Sequence, residues 1–359
     1  MKKRKKKGLS AVISTLLLIL LALVAVGIIW VVINNIISKG SEEVGFSQFT
    51  LDLKIKQVKV EQDGIHITVK RNAGKGDLQG LKFFLSDGQT QKSFEVESNI
   101  KELEEKTFVL DYAGILTDIS MATKIGGSGQ LGNIIDEFNV PGRETIKTLS
   151  GLVSWWRFEG NANDEMGINN GVVTGASLVN GRYGKAYEFN ADGGRIEVPD
   201  SQVLNDIGNS NMSTLVWIYP HSCNGGIWNK MDPIFFQGYG LYYEEYTPNL
   251  FRIGHRISGT DIITQKDNEP NKWTHIATTH IYDVYGNGIN NMEKIYIDGI
   301  LNRTRITMMF PSDSPGYNLT IGFDVAIGLP MDGVIDELMI FNKTLSDDEI
   351  KYIYNLDLN

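Results

Sequence analysis

The chain has a single cysteine, Cys223, among its 359 residues. One thiol excludes any disulfide within the chain, and with no CxxC pair or zinc-finger His spacing the sequence offers no structural zinc site of that kind. It also lacks clustered basic residues beyond its first turn. The net charge is −9, but six of the 34 Lys and Arg precede Gly8. The remaining 28 face 43 Asp and Glu, which leaves the body at −15. A body of that sign carries no electrostatic footprint for a phosphate backbone, so nucleic acid is not an expected partner.

What is present begins with MKKRKKKG and continues directly into an apolar run. From Ala11 to Ile33 there are 23 uncharged residues with only Ser14 and Thr15 polar. About 20 apolar residues suffice for a helix to cross the hydrocarbon core. The run is too long for a cleavable secretory signal and has no small-residue cut site in a polar stretch behind it. The basic cluster in front of it fixes the N-terminus in the cytosol and places the chain beyond Ile37 on the outer face.

Gly8 stands between the last Lys and the first apolar residue, where a plain anchor needs nothing. With Lys7 before it and L-S-A-V-I-S-T after it, this stretch resembles the class III signal peptide of archaeal type IV pilin-like proteins. The resemblance implies cleavage by a prepilin-type peptidase at Lys7, Gly8 and Leu9, with Leu9 the first mature residue. It also implies that helix 9–38 anchors in the membrane or packs with copies of itself or other pilins. Residues 1–8 are then a removable basic leader. Ile13 occupies the fifth mature position, where bacterial pilins usually carry Glu, so the archaeal kind is the better match.

Residues 44–140 read as strands. F-T-L-D-L-K-I-K-Q-V-K-V from Phe49 to Val60 alternates with period two, the pattern of a half-buried strand. Asp63-Gly64 and Asp87-Gly88 punctuate further alternating runs, which predicts an antiparallel, immunoglobulin-like β-sandwich. His66 falls on a strand and is expected to face solvent. Residues 141–150, with P-G-R-E-T-I-K, read as a linker.

From Gly151 the composition shifts toward aromatics and Asn. L-V-S-W-W-R-F-E-G-N-A-N-D-E-M-G, then N-G-R-Y-G-K-A-Y-E-F-N, K-W-T-H-I-A-T-T-H, K-I-Y-I-D-G and G-V-I-D-E-L-M-I-F-N-K-T-L-S-D-D-E-I follow in order. Residues 151–359 thereby resemble a laminin G-like, concanavalin A-like jelly roll. The residues support that architecture independently, since the strands are short and alternating and Asp298-Gly299 is a hairpin signal. Ser346, with Glu349 three residues on, starts a closing helix in a capping box.

The resemblance implies binding on a sheet face or rim loop, where aromatic faces stack on sugar rings. Trp228, Tyr239, Tyr243 and Tyr246 lie in the loops expected to do this. Relatives of this fold also hold calcium, and Glu159, Asp164, Asn170 and Asp336 are the hard oxygen donors expected to bind a structural Ca2+ ion. Four sequons, at Asn211, Asn302, Asn318 and Asn342, fit a glycosylated surface protein. No enzyme activity is expected. The E-x-D-x-x-E run of glycoside hydrolases of this fold does not occur, and Asp336 and Glu337, adjacent on a strand, are expected to point to opposite faces. His275 and His280 fall in strands with no nucleophile beside them.

The expected fold class is therefore mainly β: an N-terminal transmembrane, pilin-like α-helix, a β-sandwich and a jelly roll. The expected function is that of a cell-surface pilin-like adhesin binding extracellular glycans or proteins. The alternatives are a membrane-anchored glycan hydrolase and an anchored spacer that does not polymerise.

Overall fold

The computed structural model describes residues 51–358, apart from 62, 75, 77, 113, 126–129, 208, 209, 258, 259, 283–289, 309–313 and 357. The basic leader, the processing site at Lys7, Gly8 and Leu9, and the apolar run lie outside the described residues. Among the described residues no helix is long and apolar enough to cross a membrane. The chain divides into two compact units, one ending at Val140 and the other running from Pro141 to Asn359.

Among the described residues the first unit has seven strands: β1 (Leu53–Glu61), β2 (Gly64–Arg71), β3 (Leu78–Ser86), β4 (Gln91–Glu97), β5 (Glu105–Leu110), β6 (Asp118–Ile125) and β7 (Gln130–Asn139). They form two antiparallel sheets, ordered β1-β2-β5 and β4-β3-β6-β7. Alternation decides what is buried. Ile65, Ile67 and Val69 of β2 and Leu81, Phe83 and Leu85 of β3 meet in one core, while the residues between them are more exposed. This is a two-sheet sandwich, as the alternating pattern predicts. The fourth strand pairs with β3, whereas in a constant-type immunoglobulin domain it pairs with the fifth.

The second unit opens with helix α1 (Gly142–Lys147) in the stretch that reads as a linker. The structure corrects that reading: Ile146 and Leu149 are buried in a core with Trp155 and Phe341, so the segment is packed into the domain. The strands that follow are β8 (Leu152–Trp156), β9 (Val172–Thr174), β10 (Ser177–Asn180), β11 (Lys185–Asn190) and β12 (Arg195–Val198). After helix α2 (Gln202–Ile207) come β13 (Met212–Pro220), β14 (Gly225–Met231), β15 (Gly238–Thr247), β16 (Leu250–Ile257), β17 (Thr260–Ile263) and β18 (Thr274–Ile281). The chain ends with β19 (Asn290–Ile297), β20 (Ile300–Met308), β21 (Leu319–Ile321), β22 (Phe323–Asp324), β23 (Leu329–Pro330), β24 (Asp332–Phe341) and helix α3 (Asp347–Asn355).

One sheet runs β10-β11-β24-β13-β18-β19-β20, with β8 added on β24; the other runs β17-β16-β15-β14-β21-β12-β9. Between them lies the main core, with Trp156, Phe189, Trp228, Tyr239, Tyr243 and Phe251 among its large residues. A second core covers the opposite face of the first sheet, where Ile350 and Ile353 of α3 pack with Trp217, Tyr296 and Met339. The expected capping box is present at Ser346 and Glu349. The Asp298-Gly299 turn has both residues at positive φ, 50° and 74°, and joins Ile297 to Ile300 in the two-residue hairpin that such a pair favours.

Candidate functional site

Three of the four aromatic residues expected at a binding surface are core residues. Trp228 is fully buried and meets Tyr239 edge to face at 5.8 Å between ring centroids. Tyr239 donates its hydroxyl to the Leu204 carbonyl at 2.7 Å, and Tyr243 donates to the Asp332 carbonyl at 3.1 Å. The reason is burial: β14 and β15 as far as Tyr243 are covered on both faces, so stretches that read as loops are buried strands. The faces of these three rings are taken up by packing, which removes them from contact with a sugar.

Tyr246 is placed differently. It stands at the tip of the β15–β16 hairpin and is 57% exposed. The guanidinium of Arg252 lies 3.5 Å from its ring centroid, a cation–π contact. Arg252 in turn donates from Nε to Asp267 Oδ1 at 2.6 Å, and Thr247 donates its hydroxyl to Asp267 Oδ2 at 2.9 Å. The Arg252 hydrogen bond, followed by that of Thr247, holds the Asp267 carboxyl below its ordinary range. A side chain with few rotamers is thus fixed at an exposed tip by a charged pair.

Asp267 also lines a cleft of about 320 Å³ at the same rim. Lys266, Lys272, Asp298 and Asn302 contribute polar groups, and Ile297, Ile300 and Leu301 supply an apolar surface. Mixed donors and acceptors beside a small apolar patch suit a polyhydroxylated ligand. The sequence signal for this site was the tyrosine-rich hairpin; the contribution of the 266–272 loop had none.

The four expected calcium donors do not form one ligand set. Asp164 spends its carboxylate on four backbone N–H groups, those of Trp155, Met166, Ile168 and Asn169, at 2.8–3.3 Å. Asn170 accepts from the Asp164 backbone N–H at 3.0 Å. Both serve a turn. Glu159 and Asp336 instead flank the β10–β11 connection, where they accept from the backbone N–H groups of Lys185 and Tyr183. A Ca2+ ion held by all four is therefore not supported. Among the described residues, the group of His, Cys and carboxylate ligand atoms brought close together is Glu61, Asp63 and His66 of the first unit.

A bulge changes the reading of Asp336 and Glu337. Leu215 pairs with Met339 but Trp217 pairs with Asp336, so β24 carries one extra residue, and Glu337 takes it up at φ 53°. Ile335 and Leu338 face the main core, while both carboxylates lie on the other face. Glu337 Oε2 accepts from Trp155 Nε1 at 2.5 Å, and Oε1 lies 3.7 Å from Arg157 Nε. Burial pushes Asp336 up to about 7 and Glu337 well above the ordinary carboxyl value, the latter also because Asp336 is beside it. Neither reaches the surface, so the pair cannot flank a glycosidic bond.

Three sequon side chains, Asn211, Asn318 and Asn342, are exposed; Asn302 is half-buried at the cleft. His275 lies tilted against the rings of Trp217 and Tyr354, and both it and His280 are buried.

Residues 190–351 match the family profile described as the concanavalin A-like lectin/glucanases superfamily, of the laminin G type. The chain therefore carries a concanavalin A-like jelly-roll domain. None of the curated proteins matches the chain. Among solved structures it is similar to domain 4 of AbnA, a GH43 extracellular arabinanase from Geobacillus stearothermophilus in complex with arabinotriose. The identity is 20%, 57% of this chain and 98% of that chain are covered, and the TM-score is 0.43. It is also similar to the binding domain of botulinum neurotoxin DC in complex with SialylT, at 14% identity, 57% and 51% coverage and a TM-score of 0.43. A pentraxin from Limulus polyphemus matches at 14% identity, 45% and 75% coverage and a TM-score of 0.36. The chain spans about half the length of the neurotoxin domain it matches.

Proposed function

We propose that this protein is a cell-surface, pilin-like adhesin whose jelly roll binds extracellular glycans at the rim formed by Tyr246, Arg252 and the cleft beside Asp267. The observation that carries the binding site is Tyr246 itself. It is the one expected ligand aromatic left exposed, and the Arg252–Asp267 pair holds it next to a mixed polar and apolar cleft. Stacking on a sugar face uses the ring, and the cleft side chains take hydroxyls. The mechanism is binding alone, with no covalent step.

The leader supports the rest of the reading. Cleavage between Gly8 and Leu9 removes the six cationic charges and leaves an uncharged helix able to stay in the bilayer or pack into a filament. The sandwich, read as an immunoglobulin-like body, then forms the filament wall or a spacer. A surface location also gives the exposed sequons a role.

The calcium part of this reading narrows to Glu159 and Asp336, since Asp164 and Asn170 serve a turn. A glycan array probed with the full-length protein, with and without Ca2+, tests the binding reading. Retained glycans that are lost in Tyr246→Ala support it. Binding of a protein and no glycan would replace it, and cleavage of a bound polysaccharide would favour the hydrolase alternative. Sequencing the mature N-terminus tests the leader: Leu9 is expected, and an intact Met1 on surface-exposed protein would sink the pilin reading.

A further inference from the structure

The sandwich unit has no chemistry assigned to it, yet its β1–β2 hairpin gathers three metal-ligating side chains. Glu61 ends β1, Asp63 sits in the two-residue turn, and His66 lies on β2 across the ladder from Lys59. Ile65 and Ile67, on either side of His66, point into the sandwich core, so His66 lies on the outer face. Glu61 and Asp63 approach it there. Their ligand atoms and the His66 ring nitrogen all lie within 4.8 Å of one another.

A hydrogen bond explains only part of this arrangement. His66 Nε2 is 2.6 Å from Asp63 Oδ1, and that contact satisfies the one proton the nitrogen can carry. Glu61 Oε2 stands 3.9 Å from the same nitrogen and has no proton left to accept there. Two carboxylates are thus held against one imidazole nitrogen, where like charges repel and a shared cation would offset the repulsion. Lys59 makes no ion pair with either carboxylate among the described residues.

Gly64 pairs with Glu61 at φ 135°, where a Cβ would lie 2.7 Å from the Leu110 carbonyl oxygen, so the backbone beside the ligands packs closely on β5. The β1–β2 pairing sets where Glu61 and His66 start from, and the exposed carboxylates can step back from the imidazole to admit an ion. One imidazole nitrogen with two carboxylate oxygens is a donor set for a divalent transition metal; the nitrogen donor argues against Ca2+ or Mg2+, which prefer oxygen alone.

The geometry points to a divalent transition-metal site of the zinc class at the tip of the β1–β2 hairpin, held by Glu61, Asp63 and His66 with water completing the sphere. This site is independent of the rim cleft. Titration of the chelator-treated full-length protein with Zn2+, followed by calorimetry, tests it, with Co2+ as the spectroscopic probe. One ion per chain is expected, with an imidazole-type Co2+ spectrum. His66→Ala and Asp63→Asn should each weaken binding at least tenfold while leaving the far-UV circular dichroism unchanged. His221→Ala, which removes an imidazole near Glu188 and Asp332, should leave binding unaltered. Absence of Zn2+ binding, unchanged affinity in a folded His66→Ala variant, or a loss confined to His221→Ala would each overturn the assignment.

Discussion

Asp336 and Glu337 are neighbours in sequence and lie on the same face of β24, because the bulge at Glu337 cancels the alternation that would separate them. Two carboxyls thereby share one buried environment with Trp155 and Arg157. The cost of ionising them there sets how the domain responds to base.

The folded value of Asp336 is raised from 3.8 to about 7, mainly by burial. A raised carboxyl means that the folded state holds its proton longer than the unfolded state. Its contribution to stability is complete below about pH 4 and is lost as the pH climbs to 7. Over that interval the Asp336 contribution alone should fall by the equivalent of a few kcal/mol. Asp336→Asn should therefore gain stability relative to the wild type as the pH rises; a constant difference between the two in thermal melts from pH 4.5 to 8 would remove Asp336 as a source of base sensitivity.

The buried histidines act in the opposite direction. Burial lowers His275 from 6.5 to about 3 and His280 from 6.5 to about 4. A depressed histidine stabilises fully above its unfolded value, and that stability is lost as the pH falls from 6.5 toward 4. Urea unfolding at pH 4.5 and 7 should therefore show less acid loss for His275→Phe than for the wild type, since a phenyl ring keeps the contacts with Trp217 and Tyr354 and takes no proton.

The two aromatic positions that look alike in sequence should separate cleanly in experiment. Trp228→Ala empties a core site and should cost about 3–5 kcal/mol in unfolding free energy. Tyr246→Ala, at an exposed tip, should change stability little yet reduce glycan affinity at least tenfold. Paired melts and binding isotherms on both variants distinguish a core residue from a contact residue.

At the C-terminal helix, Ser346 accepts from the Glu349 N–H at 3.2 Å, and Glu349 accepts from the Ser346 N–H at 2.7 Å. Ser346→Ala leaves an N-terminal donor unsatisfied and should cost about 1 kcal/mol. A measured loss no greater than that of an exposed Ser→Ala change elsewhere would show that the cap contributes nothing.

Local patterns determined much by themselves. Alternation marked β1, β2 and β3 as half-buried strands, Asp298-Gly299 marked a tight hairpin, and Ser346 with Glu349 marked a helix start. In each case the cause lies within a few residues: side-chain period, positive φ, or a side chain reaching its own backbone. The order of motifs from Gly151 onward also identified the jelly roll, since order and spacing reflect the whole strand plan.

Tertiary structure decided the faces. Trp228 and Tyr246 sit in similar aromatic and glycine-rich surroundings, but packing of the facing sheet buries Trp228, whereas Tyr246 is left in solvent. One extra residue in β24 turned Glu337 onto the face of Asp336, and no period-two rule foresees a bulge. Asp164 resembled a metal ligand until its four backbone donors were in place. Burial, register shifts and the partners of a carboxylate depend on residues tens of positions away, and those distances close only when the sheets pack.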